Sequence, residues 1–116
     1  MQISHERSDN VTVLSLNGRL DELATTEVEK AFMDCLHSEA CGLIVDLSAV
    51  EYISSSGLRV LLMLAKAMKK QDRDLRLCRL SPFVAEVFEI SNFTAMFNIY
   101  DDLEVARRSF DSGTDG

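Results

Sequence analysis

The sequence predicts an α/β fold, a small mixed β-sheet with about four helices packed on it. Three observations predict it. Two β-rich segments open the chain, and helical and strand patterns alternate from there to the end. Leu43-Ile44-Val45 is a run of consecutive apolar residues, the pattern of a strand covered on both faces. From about Gly57 to Lys70 the apolar residues recur at helical spacing. At 116 residues the chain is one domain, long enough for its own core and too short for two.

In order, residues 2–7 and Asn10 to Leu16 read as two strands, with Ser8-Asp9-Asn10 as the hairpin turn and Val11, Val13 and Ser15 on one face. Gly18-Arg19-Leu20-Asp21 leaves the second strand. A helix from about Ala24 to His37 follows, with Val28, Ala31, Phe32, Cys35 and Leu36 on its core side. Glu27 and Glu29 near its start suit the helix dipole. The next strand spans Leu43 to about Leu47, and a loop ending in Ser54-Ser55-Ser56 leads into the Gly57–Lys70 helix. That helix presents Leu58, Leu61, Leu62, Leu64, Ala65 and Met68 as a core face. Arg59, Met63, Lys66 and Lys70 form a second stripe.

Asp74 to Leu80 alternates like a strand, Leu75, Leu77 and Arg79 against Arg76 and Cys78. Ser81 and Pro82 read as N-cap and first residue of a helix to about Ile90. Phe97 to Tyr100 is a short strand, and Asp101-Asp102 starts a last helix to about Ser109. Residues 1–110 thus make the domain, and 111–116 read as a disordered tail. Parallel pairing of the later strands is the simplest topology.

Composition narrows the function. The longest aliphatic run, Val60 to Ala65, is far short of the roughly 20 residues of a membrane helix, and no signal-peptide core follows Met1. A cytoplasmic protein without a membrane span is expected. Cys35, Cys41 and Cys78 are odd in number and lack paired spacing, so reduced thiols are expected rather than disulfides or zinc. His5 and His37 lie far apart, with no ligand spacing around them, and no metal or cofactor is expected. The net charge of −7 argues against nucleic acid. It is unevenly spread, because residues 57–79 carry +5 and the remainder −12. A protein partner of complementary charge and a plain solvated helix face both fit that pattern.

The three serines have an ordinary reading as helix caps. Their helix nonetheless starts without a carboxylate, since Gly57, Leu58 and Arg59 stand where a capping box places Glu or Gln. An anion there would meet free N–H groups and the positive helix end. A phosphate carried by one of the serines is one candidate. Arg59 reads equally as its neighbour or as a solvated side chain. Met63 reads as a partner contact or as filler at the edge of the core.

The run Asp46-Leu-Ser-x-Val-x-Tyr-Ile-Ser-Ser-Ser-Gly-Leu-Arg-Val-Leu resembles the signature of bacterial anti-sigma factor antagonists, the STAS-domain family. Gly18-x-Leu20-Asp21 resembles that family's earlier motif, and the order of elements matches over about residues 3–109. The resemblance implies phosphorylation at Ser55, with Ser54 and Ser56 as alternatives, because Ser54 stands where the family often has Asp. It implies an anti-sigma factor that is itself a serine kinase and holds ATP on its own chain. The unphosphorylated antagonist binds that kinase and frees the sigma factor. Phosphorylation breaks the complex, and a serine phosphatase restores it. Asp21, Ser54, Ser56, Gly57, Arg59, Met63 and Lys66 are the expected partner-binding residues. Asp21 also reads simply as a turn or cap residue.

An enzyme is disfavoured. Neither histidine sits in a triad motif, and Ser-Ser-Ser-Gly is not a nucleophile elbow. A small-ligand sensor lacks a Gly-rich phosphate loop. The remaining alternative is a STAS scaffold or regulatory subunit of a transporter or signalling complex, without a sigma circuit.

Overall fold

A computed structural model describes residues 1–8, 10–37 and 42–113. Its elements are β1 (Gln2–Ser8), β2 (Val11–Leu20), α1 (Thr25–Leu36), β3 (Gly42–Ile53), α2 (Ser55–Lys70), β4 (Asp74–Cys78), α3 (Pro82–Ile90), a 3₁₀ turn (Phe93–Met96), β5 (Asn98–Tyr100) and α4 (Leu103–Gly113). Among the described residues the strands make one sheet in the order β1-β2-β3-β4-β5. β1 is antiparallel to β2, and every later pairing is parallel, as the sequence led us to expect.

Side chains of successive strand residues point to opposite faces, and the two faces carry separate cores. Leu14, Leu16, Leu43, Val45, Leu75 and Leu77 pack with Val28, Phe32, Leu61, Leu64, Val84 and Phe88, so α1, α2 and α3 share one face. Val13, Ile44 and Cys78 pack on the other with Ala106 of α4. The strand Leu43–Val45 is therefore buried on both sides, which is why its sequence does not alternate.

Several boundaries differ from the sequence reading. β2 continues to Leu20 and β3 to Ile53, well past the expected ends near Leu16 and Leu47. Their extra length pairs Asn17–Leu20 with Ala49–Ile53, across register shifts between Ser15 and Asn17 and between Gly18 and Arg19. Gly18 sits at φ +121°, a backbone region that favours glycine. Irregular pairing of this kind leaves no clean two-residue alternation to read.

α2 begins at Ser55 rather than Gly57. Its buried residues are Gly57, Leu58, Val60, Leu61, Leu64 and Met68, while Leu62 and Ala65 are only half-buried, because α1 packs along the Val60 flank. β4 stops at Cys78, and Arg79 adopts a left-handed backbone at φ +53° instead of extending the strand. The 3₁₀ turn was not expected, and Asn92 enters it at φ +65°. α4 runs to Gly113, beyond the expected end near Ser109. Asp9 of the expected hairpin turn, Cys41 and residues 114–116 lie outside the described residues.

Arg79 turns because its guanidinium reaches back across the sheet. It forms a hydrogen-bonded ion pair with Asp46, and its backbone N–H donates to the Tyr100 carbonyl at 2.9 Å. The Asp46 side chain is only 7% exposed, and its other carboxylate oxygen accepts the Ser48 N–H at 3.0 Å. Burial pushes the Asp46 carboxyl up, but the Arg79 and Ser48 hydrogen bonds outweigh it and hold the pKa below the ordinary 3.8. Asp46 thus binds its proton less readily folded than unfolded. Its contribution to stability is complete above the unfolded value and is lost as pH falls below 3.8 towards the folded one. Asp46→Asn is expected to lower stability by about 1–2 kcal/mol at neutral pH, where Arg79, 45% exposed, recovers some hydration. Urea midpoints measured between about pH 6 and 3 should fall more steeply for wild type than for the variant. Parallel pH profiles would show that the pair contributes nothing.

Candidate functional site

The serine corner is built where β3 hands over to α2 against the end of β2. Ser54 is the N-cap, in extended conformation, and its Oγ accepts the Gly57 N–H at 3.2 Å. The same hydroxyl donates to the Leu20 carbonyl at 3.3 Å, which also accepts the Ser54 N–H at 3.0 Å. Ser54 is thus occupied as a clamp between α2 and β2. Gly57 is buried at that clamp, where an added Cβ would lie 2.7 Å from the Leu20 carbonyl oxygen and 3.0 Å from Ile53 Cγ1.

Ser55 is the first residue of α2 and is exposed, whereas Ser56 behind it is half-buried. No acidic residue occupies the first turn of α2, and its two terminal lysines, Lys69 and Lys70, suit the negative end of the dipole. Ser55, Arg59, Met63, Lys66 and Lys70 are all exposed, and their spacing places them on one face of the helix. The structure therefore brings the expected phosphorylation position and the expected basic stripe together. Ser54 and Gly57 lie on the opposite, structural side of the same corner.

Asp21 follows Leu20 and so stands next to the clamp. Its Oδ1 accepts the N–H groups of Leu23 and Ala24 at 3.1 and 3.2 Å, making it the capping residue of the turn into α1. Leu23, at the tip of that turn, is exposed.

One group at the corner escaped the sequence reading. The Arg19 guanidinium lies 4.2 Å from the Tyr52 ring centre, and Tyr52 stacks on Phe83 at 5.8 Å. Phe83 reaches this stack because the Ser81 hydroxyl, instead of capping α3, donates to the Val50 carbonyl at 2.5 Å and ties the start of α3 to β3. The three residues come from separate elements, so no local spacing signals them. Among the described residues no cluster of His, Cys, Asp or Glu could hold a metal, and no helix is long and apolar enough to cross a membrane.

Comparison with known proteins agrees with this architecture. A STAS domain profile matches residues 2–106. BtrV of Bordetella bronchiseptica, a candidate anti-sigma factor antagonist, is 32% identical over 110 residues, 95% of each chain. The crystal structure of a candidate anti-sigma factor antagonist from Thermotoga maritima superposes with a TM-score of 0.86 at 23% identity, covering 92% of each chain. SpoIIAA in its unphosphorylated form gives 0.78 at 20% identity, covering 95% of this chain and 97% of its own. The Bacillus SpoIIAA in its phosphorylated form gives 0.72 at 18%, covering 93% and 99%. At these identities the structures establish a shared fold. Taken with the profile match and the BtrV similarity, they show that this chain belongs to the STAS-domain family, the family of the anti-sigma factor antagonists.

Proposed function

We propose that this protein is an anti-sigma factor antagonist that works by partner switching, with Ser55 as the phosphorylation site. Unphosphorylated, it binds an anti-sigma factor serine kinase and so releases the sigma factor. The kinase transfers the γ-phosphoryl group of its own bound ATP to the Ser55 hydroxyl. A new O–P bond forms, ADP departs, and the hydroxyl proton passes to a base on the kinase. A serine phosphatase later hydrolyses the ester. The protein's own role is regulatory rather than catalytic, and the whole circuit is cytoplasmic.

The observation that carries the choice of Ser55 is the division of labour at the corner. Ser54 has spent its hydroxyl on the clamp, Ser56 is half-buried, and Ser55 is the exposed one. A phosphate there adds about −1.5 to −2 charges at the positive end of α2, which tolerates it well. The domain stays folded while the surface presented to the partner changes sign. Asp21, Ser54 and Gly57 hold the corner in shape, Ser56 stands half-buried behind Ser55, and Arg59, Met63 and Lys66 extend the corner along the exposed face of α2.

The test is peptide mass spectrometry after incubation with ATP and each anti-sigma kinase of the host. One phosphate on Ser55 is expected. Phosphate on Ser54 or Ser56 would move the site and keep the switch. No phosphate with any kinase would favour a STAS scaffold or regulatory subunit instead.

A further inference from the structure

We infer that the groove between α1 and α2 is a second docking site for the anti-sigma kinase, filled by an acidic amphipathic helix of that partner. This inference rests on the function proposed above and adds a contact that phosphorylation of Ser55 leaves in place. The groove is floored by Phe32, Leu36, Val60 and Leu64, closed by Ala67, and walled by Glu29 and Met33 on α1 and Met63 on α2, so its one charged wall residue lies on the α1 side. The two methionines are 47% and 54% exposed, although both helices bury their neighbours well. Facing methionines on a concave apolar surface suit a helical ligand, because the thioether adapts to its side chains. From Val60 to Ala67 the groove runs about 10 Å, two helical turns, enough to seat anchors spaced i, i+3 or i+4, and i+7.

Charge selects the occupant. Arg59, Lys66 and Lys70 lie along α2 beside Met63, just outside the lining of the groove, and among the described residues none of them meets a carboxylate. Arg19, Arg76, Arg79 and Arg107 each do. An open row of three cations is unexpected in a chain of net charge −7, where acidic residues are plentiful. A partner helix with an acidic flank towards α2 would neutralise it.

The far part of the groove lies beyond the reach of the corner. Met63 and Ala67 stand eight and twelve residues beyond Ser55, about 12 and 18 Å along the helix axis, which exceed the Debye length of about 8 Å at physiological salt, whereas Arg59 and Val60 lie within it. A phosphate on Ser55 is therefore largely screened at the methionines and felt at Arg59.

The experiment is calorimetry with the host anti-sigma kinase that binds the wild-type protein. Wild type is compared with Met33→Glu, Met63→Glu and Ser55→Asp, and with each methionine change combined with Ser55→Asp. Each methionine change should weaken binding about tenfold or more, by a similar factor in either Ser55 background. Lys66→Glu with Lys70→Glu should weaken it too and flatten its salt dependence. Circular dichroism guards against misfolding, which is unexpected at exposed positions. Methionine variants that bind like wild type, with unchanged spectra, would overturn the groove and leave the phosphorylation switch standing. A methionine effect confined to the Ser55 background would overturn the independence of the two contacts. Weak binding by the methionine variants with wild-type binding by Ser55→Asp would support the groove and sink the switch. Failure of every host anti-sigma kinase to bind wild type would remove the proposed function and this inference together.

Discussion

Ser55→Asp is expected to weaken binding to the anti-sigma kinase about 100-fold, while Ser55→Ala binds as tightly as wild type and cannot be switched off. The expectation follows from the exposed position of Ser55 at the start of α2. A carboxylate there is stabilised by the helix end, so neither substitution should unfold the domain. Its effect falls on the contact, where an added charge must be stripped of water against a partner chosen to match a basic face. Aspartate carries less charge than a phosphate, so the phosphorylated protein should bind more weakly still. Equal affinity for the two variants, measured by calorimetry, would place the switch away from this residue.

Gly57→Val is expected to lower the melting temperature by 10 °C or more, roughly the effect of 2–3 kcal/mol in a domain this size. Glycine inside a helix ordinarily gains about 1 kcal/mol on replacement by alanine. Here the sign reverses, because a Cβ would stand 2.7 Å from the Leu20 carbonyl oxygen and 2.8 Å from Leu20 Cγ. That carbonyl cannot move aside, since both the Ser54 N–H and the Ser54 hydroxyl donate to it. Gly57→Ala should therefore destabilise as well, though less than valine. A thermal melt of Gly57→Ala above that of wild type would show that the clamp yields and that helix propensity decides.

The order of elements was legible in the sequence because it depended on local apolar spacing, and the parallel pairing followed from the alternation of helices and strands. Ends set by distant residues were not. The Asp46-Leu47-Ser48 step looks like a strand leaving for a loop, yet Ala49 to Ile53 stay extended because Asn17 to Leu20 pair with them. Arg79 continued an alternating pattern on paper. Asp46, far away in the chain, pulls it into a left-handed turn. At the corner, local chemistry identified three serines with capping potential and could not rank them. Their separation into a clamp and an exposed hydroxyl comes from the Leu20 carbonyl, which belongs to another strand. The Arg19, Tyr52 and Phe83 stack was invisible for the same reason, being assembled from β2, β3 and α3.

The strands lie side by side in the order in which the chain is made. Each new strand leaving the ribosome therefore finds its neighbour already synthesised, and none must be threaded between two finished ones. The clamp at Ser54 needs only β2, β3 and the first turn of α2. Its parts are all present before β4 has been translated, and the last third of the chain then packs beside a serine corner that is already assembled. Folding of this kind proceeds from near neighbours outward, although each parallel pairing must first close a helical crossover.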